Sequence, residues 1–239
     1  MDPERSRLIT QLKADGYVCV APAVARAALQ LDLTALDTLR ETWERLPRDT
    51  FLRDAGQYRS RRHSCYVHRP ATADLAAVPH RAHWQPTSYN ALHGGLQRWF
   101  APVEPPLSAS PAWQQLLRSL GELFAELRSV ERWYIEAHQF RIDTASGLGR
   151  PTPEGAHRDG VDFVALVLVG RRAVRGGETR VFDAQGARGV RFTMEEPWSM
   201  LLMDDARVIH ETTPIQSDTG QGVRDTLVLT YRAQGFQEP

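Results

Sequence analysis

The sequence predicts a mainly β, α+β fold: N-terminal helices followed by a double-stranded β-helix of the jelly-roll, cupin-like kind. Three observations predict it. From Arg132 onward, short β-rich runs succeed one another, punctuated at Gly176-Gly177, Gly186, Pro197 and Gly220 to Gly222. Regular short strands with turn signals mean a sandwich or barrel. Before that point, apolar residues recur at helical spacing. The 239 residues, 42% of them hydrophobic, suffice for one well-buried domain with decoration.

Residues 3–14 read as a short helix stopped by Asp15-Gly16, and 17–20 as a strand. Residues 23–44 predict one amphipathic helix, with Ala28, Leu31, Ala35, Leu39 and Trp43 on its apolar face. Residues 58–68 alternate like a strand. The stretch 70–111 holds seven of the fifteen prolines, and Trp84, Tyr89, Trp99 and Phe100 offer it hydrophobic anchors. It therefore reads as an ordered loop or lid, not a linker. Ser110-Pro111 opens a helix to about residue 130, with Ser110 as N-cap. Strands are expected at 133–142, 163–169, 179–182, 190–193, 199–203, 208–212 and 225–231. One domain spans 1–239: residues 1–130 supply helices and lid, residues 131–239 the β core.

Composition excludes several classes. The formal net charge is +0, so there is no electrostatic footprint for nucleic acid. No apolar run has the ~20 residues of a membrane span, and the polar start, Met1-Asp2-Pro3-Glu4-Arg5, shows no signal peptide. A soluble, cytoplasmic chain acting on a small molecule is expected, with a homodimer left open. Cys19 and Cys65 read as two buried thiols, not a disulfide framework. Lys13 is the sole lysine and lies in a polar helix, which excludes Schiff-base chemistry on a buried lysine.

His157, Asp159 and, later in the chain, His210 carry the chemistry. Positions 157 and 159 of an extended segment point to one side, and strands between 159 and 210 can return the chain to the same rim. Two imidazoles and one carboxylate are the facial ligand set of non-haem iron(II), leaving positions open for a co-substrate and dioxygen. Arg224 opens the last strand, and a guanidinium matches the distal carboxylate of 2-oxoglutarate bidentately. Thr226 shares its face and can add a hydrogen bond; Arg232 is a weaker candidate, past the apolar part of that strand. Gln139 and Arg141 face one way on the strand before the metal loop. Gln139 is a candidate for the co-substrate and Arg141 for substrate. Arg59 and Arg61 share a strand face and could meet a substrate carboxylate; Asp162 and Glu154, near the triad in sequence, could take an ammonium.

These residues resemble a known family, the iron(II)/2-oxoglutarate dioxygenases that hydroxylate free L-amino acids, typified by L-isoleucine 4-hydroxylase. The resemblance covers most of the chain. It rests on Tyr58-Arg59-Ser60-Arg61-Arg62, His138-Gln139-Phe140-Arg141, the block Pro153-Glu154-Gly155-Ala156-His157-Arg158-Asp159-Gly160, Gly176-Gly177-Glu178-Thr179, and the run from Asp204 to His210. It implies the double-stranded β-helix, Fe(II), 2-oxoglutarate and O2, and hydroxylation of an unactivated C–H with release of succinate and CO2. Asp159 retains the carboxylate that related halogenases lack, which points to hydroxylation or desaturation. Two alternatives stay open. One is a cupin-like metal enzyme without 2-oxoglutarate, which would not need Arg224. The other is an oxygenase of a carrier-bound or peptide substrate.

Overall fold

A computed structural model describes residues 2–54, 56–90 and 92–239. Helix α1 (Pro3–Asp15) starts under Asp2, whose carboxylate accepts the Glu4 and Arg5 N–H groups, and stops at Gly16 with φ 79°. Strand β1 (Tyr17–Val20) follows. The single helix expected over 23–44 is broken into α2 (Pro22–Leu29), α3 (Leu33–Thr38) and a 3-10 turn at Arg40–Arg45. Gln30 takes a left-handed φ of 53° and Asp32 caps α3 through the Ala35 N–H, so a stop and a start interrupt the apolar periodicity.

Strands β2 (Arg59–Arg69) and β3 (Asp74–Ala77) precede helices α4 (Pro105–Ser108) and α5 (Pro111–Leu127). The Ser110 side chain makes no capping bond; Pro111 at the first turn has no N–H to cap. The remainder is β4 (Trp133–Asp143), β5 (Phe163–Arg172), β6 (Arg175–Gly176), β7 (Thr179–Asp183), β8 (Gly189–Phe192), β9 (Met200–Asp204), β10 (Val208–Thr212), β11 (Ile215–Gln216) and β12 (Val223–Arg232).

The large sheet is antiparallel throughout, in the order β1-β9-β5-β12-β4-β2-β3. A three-stranded sheet, β10-β7-β8, and the β11-β6 pair complete the double-stranded β-helix. Three strands of the large sheet come from before residue 131, so the expected division into a helical part and a β core does not hold.

Parity sorts the two faces of the large sheet. Trp133, Ile135 and Ala137 of β4, Phe163, Ala165 and Val167 of β5, and Leu227, Leu229 and Tyr231 of β12 form one buried core with the helices. Helix α5 contributes Trp113, Leu116, Leu117, Leu120 and Phe124 to it; each such side chain stabilises by roughly 1.5–3 kcal/mol when fully buried. Gly121 lets α5 lie close on the sheet, since a Cβ there would come within 2.3 Å of the His68 ring. On the opposite face, Val164, Leu166 and Leu168 pack with Val181, Leu201, Met203 and Val208. The same face of β4, β12 and β2 carries Glu136, His138, Arg224, Thr226, Arg59 and Arg61, which line a cleft.

The segment 70–111 supplies His83, Gln85, Asn90 and Arg98 to that cleft. Phe100 is buried, while Trp99 is 55% exposed and meets the His80 ring edge-on at 5.3 Å. The expectation of two buried thiols is corrected as well: Cys65 is buried, while Cys19 is exposed at edge strand β1; both are free. Among the described residues, no helix is long and apolar enough to cross a membrane.

Candidate active site

His210 sits in the middle of β10, and His157 pairs with it across an isolated antiparallel bridge: each backbone N–H donates to the other's carbonyl at 3.0 Å. His157 is thus held in register without belonging to a full strand. The two rings lie 4.6 Å apart between centroids. Asp159 brings its carboxylate to both, Oδ1 at 3.9 Å from His157 Nε2 and Oδ2 at 3.8 Å from His210 Nε2. Ligand atoms of all three residues lie within 4.8 Å of one another. His157 Nδ1 donates to the Gly155 carbonyl at 2.9 Å, which leaves the Nε2 lone pair facing the other two groups. The donor set fits one divalent iron. The protons say the same. Burial pushes the Asp159 carboxyl up to about 6, against the pull of His157. Burial also works against a His157 cation, but Asp159, Glu154 and the Gly155 carbonyl outweigh it and hold that ring above its ordinary value. Both shifts mean that the buried pair retains a proton, whose place a divalent cation would take.

A second carboxylate shapes the loop. Asp205 is fully buried and accepts three backbone N–H groups, from Asp159 at 2.9 Å, Gly160 at 2.8 Å and Val161 at 3.1 Å. The Gln237 amide donates to the carbonyls of Asp159 at 3.1 Å and Gly160 at 2.8 Å. Gly160 has φ +76°, and a Cβ there would lie 2.4 Å from the Tyr89 ring; only glycine fits. Sequence reasoning gave Asp205 no role. Its one signal is position, an acidic pair just before the strand of the second histidine.

Arg224 lies on the wall of the same cleft, 2% exposed. Its Nε and Nη2 have no hydrogen-bond partner, and burial, with Arg171 adding to it, pulls its pKa down to about 10. A buried guanidinium with free donors is costly unless a ligand satisfies it. Thr226, also buried, lines the cleft beside it. Arg59, Arg61 and Glu154 line the cleft too. Arg59 is ion-paired with Asp49 at 2.7 Å, and Glu154 Oε1 is 3.7 Å from His157 Nε2.

Three expected site residues lie elsewhere. Arg141 and Gln139 do share a face, but it is the face toward the N-terminal elements. Arg141 pairs with Asp225 at 2.7 Å and with Glu44; Gln139 donates to Thr42 Oγ1 at 3.0 Å. Even positions of β4 line the cleft and odd positions do not. Asp162 accepts the Ala233 N–H at 2.7 Å and pairs with Arg128, away from the cleft. Arg232 bonds the Gly235 carbonyl. Conversely, Glu136, His83, His138, Gln85 and Arg98 line the cleft without having been expected there.

A facial pair of histidines and a carboxylate at the mouth of a double-stranded β-helix, beside a buried unpaired arginine, defines a class: non-haem iron oxygenases. The chain belongs to the 2OG-Fe dioxygenase family, whose model matches residues 40–230. The family uses Fe(II), 2-oxoglutarate and O2, and the chain is a 2-oxoglutarate-dependent iron dioxygenase. No curated protein matches the sequence significantly. Among solved structures, it is similar to a bsmA homologue from Methylobium petroleophilum PM1, at 55% identity, TM-score 0.94, over 98% of this chain and 95% of that one. Two others share the fold at 18% identity. They are IDO from Bacillus thuringiensis, TM-score 0.78 over 97% of this chain and 96% of that one, and the Fe(II)/α-ketoglutarate-dependent dioxygenase TqaL, TM-score 0.72 over 96% and 87%.

Proposed function

We propose that this dioxygenase hydroxylates the side chain of a free L-amino acid, with His157, Asp159 and His210 holding Fe(II) and Arg224 holding the 5-carboxylate of 2-oxoglutarate. The observation that carries the co-substrate half is Arg224 itself, a buried guanidinium with unsatisfied donors in the cleft of the triad. A metal enzyme that did without 2-oxoglutarate would have no use for it. Thr226, two residues along the strand, is placed to add a hydroxyl. Bound iron and 2-oxoglutarate supply the oxidising power that the side chains lack. The chain's own share is positioning. Asp205 and Gln237 hold the loop of Asp159, the Gly155 carbonyl orients His157, and buried walls keep water from the reacting C–H. The retained Asp159 carboxylate supports hydroxylation or desaturation.

The amino-acid half is supported by the family resemblance of the motifs and by a cleft that carries buried groups of both signs. Removing one partner of a desolvated charge pair typically costs ~2–5 kcal/mol. Arg224→Ala should therefore raise the KM for 2-oxoglutarate by at least about 30-fold, with Fe(II) affinity nearly unchanged. An unchanged KM sinks the assignment of Arg224. The substrate is tested with a panel of free amino acids, N-acyl amino acids and dipeptides, read by succinate release and product mass. Turnover confined to peptides or carrier-bound substrates would overturn the amino-acid reading and leave the oxygenase standing.

A further inference from the structure

A second set of titratable groups lies in the cleft apart from the triad. Glu136, on β4, is buried, and its Oε2 accepts two hydrogen bonds, from His63 Nε2 at 2.8 Å and His83 Nδ1 at 2.7 Å. His138 Nε2 stands 3.6 Å from the same oxygen. Three imidazoles and a carboxylate could be read as a metal site, but the hydrogen bonds argue otherwise. Arg61 Nη2 lies 2.6 Å from His138 Nδ1. A guanidinium can only donate, so Nδ1 accepts, and Nε2 carries the ring's proton and has no lone pair for a metal. His63 and His83 likewise spend their facing N–H on the carboxylate.

The cage therefore serves an anion. Burial alone would protonate Glu136, but the facing His83 and His63 rings, each giving it an N–H bond, hold its carboxyl well below the usual carboxylate range. Burial keeps the histidines themselves neutral, His83 down to about 4. Among the described residues, Oε1 of Glu136 has no hydrogen-bond partner, and the residue borders the cleft. One acceptor of an ionised carboxylate is left for a ligand.

A cation stands in the same cleft. Arg98 is 2% exposed, has no ion-pair partner among the described residues, and its Nε is unsatisfied. Its Nη2 donates to Gln85 Oε1 at 3.0 Å, and Gln85 Nε2 reaches Asp159 Oδ1 at 3.4 Å. The arginine is thus two contacts from the triad. Register separates this pole from the co-substrate arginine. On β12, Arg224 lies opposite Ile142 and Thr230 opposite Glu136; six residues of strand put them ~20 Å apart.

We propose that Glu136 receives the ammonium of a zwitterionic substrate whose carboxylate is taken by Arg98, with the three histidines holding the Glu136 carboxylate in place. The inference rests on the amino-acid reading above and deepens it: it assigns both ends of the substrate, and it fixes the class as small primary amines bearing a carboxylate. An N-acylated substrate or a peptide's interior residue has no ammonium to offer and is excluded.

The test measures binding by calorimetry, anaerobically, with Fe(II) and 2-oxoglutarate bound. The probes are matched trios: an aliphatic L-amino acid such as L-leucine, the acid lacking its amine (4-methylpentanoate) and the amine lacking its carboxylate (3-methylbutylamine). Wild-type protein should bind the amino acid at least about 30-fold more tightly than the des-amino acid. Glu136→Gln should erase that preference and Arg98→Met the preference over the amine, while 2-oxoglutarate affinity stays within about threefold. The wild-type comparison stands even if a variant fails to fold. Equal binding of amino acid and des-amino acid, or full affinity in folded Glu136→Gln, overturns the proposal. So does a stoichiometric second metal ion that His83→Gln removes. If the amine binds and no amino acid does, the amino-acid reading and the Arg98 half fall while the Glu136 half stands. If none of the trio binds while the panel shows turnover of free amino acids without this preference, the two-pole proposal falls and the amino-acid reading stands; if the panel shows no free amino acid turned over, both fall.

Discussion

His157 and Asp159 face each other in the cleft, and both hold their protons more tightly than usual. Iron must displace the proton that the buried pair shares near neutral pH, because metal ligands are deprotonated. With the Asp159 carboxyl up at about 6 and His157 above its ordinary value, Fe(II) affinity should rise as pH goes from 5.5 to 7.5. The slope should approach tenfold per unit where about one proton is released. Calorimetry in buffers of different ionisation enthalpy counts that proton; a pH-independent affinity would show the pair to be already ionised. Asp205 acts on the same group at one remove. Asp205→Ala strands three N–H donors, each worth roughly 1–3 kcal/mol when buried and unmet. Fe(II) affinity should fall about 10–100-fold, together with the melting temperature. Loss of thermal stability with iron affinity intact would make Asp205 a support of the fold alone.

Strand β4 shows what was legible and what was not. Its existence and bounds follow from its composition, and so does its alternation. Which face looks inward does not. A strand covered by helices on one side and by a cleft on the other is buried on both, and each parity set of β4 mixes polar with apolar residues: Gln139 and Arg141 follow Trp133, Ile135 and Ala137, while Glu136 and His138 alternate with them beside Phe140 and Ile142. Hence the sequence points Arg141 inward and gives no sign of Glu136. The triad escaped this ambiguity because ligand type, not parity, identifies it. The contribution of 70–111 was invisible for a different reason: His83, Gln85 and Arg98 sit in irregular chain with no period to read. That segment now has a specific expectation. Because these residues face the cleft, amide hydrogen exchange across 80–100 should slow when 2-oxoglutarate and substrate bind anaerobically. Slowing confined to the large sheet would make the segment a fixed cover.

At the scale of the molecule, the histidine cage should make stability sensitive to acid. Its three rings are pushed down by burial in the fold, His83 to about 4, whereas the unfolded chain takes up protons near pH 6.5. Folded-state values below unfolded ones mean stability that is present above about pH 6.5 and drains as pH falls toward 4. Glu136, held below the carboxylate range, adds to the same loss below about 4.5. The urea midpoint should fall steadily from pH 7 to pH 4.5, and the triple variant His63→Gln, His83→Gln, His138→Gln should flatten that slope. A slope unchanged in a folded triple variant would place the acid sensitivity elsewhere.

Strand β12 comes after every other strand in the chain and yet lies in the interior of the large sheet, hydrogen-bonded to β4 on one side and β5 on the other. Until it inserts, a nascent chain leaving the ribosome presents two open strand edges with Val, Leu and Phe side chains beside them, the template on which other chains aggregate. Its pairings span most of the β region, so ring closure is slow to be rewarded. The strand that brings Arg224 to the cleft is therefore also the one that joins the two halves of the large sheet, so a substitution that loosens it endangers co-substrate binding and solubility together.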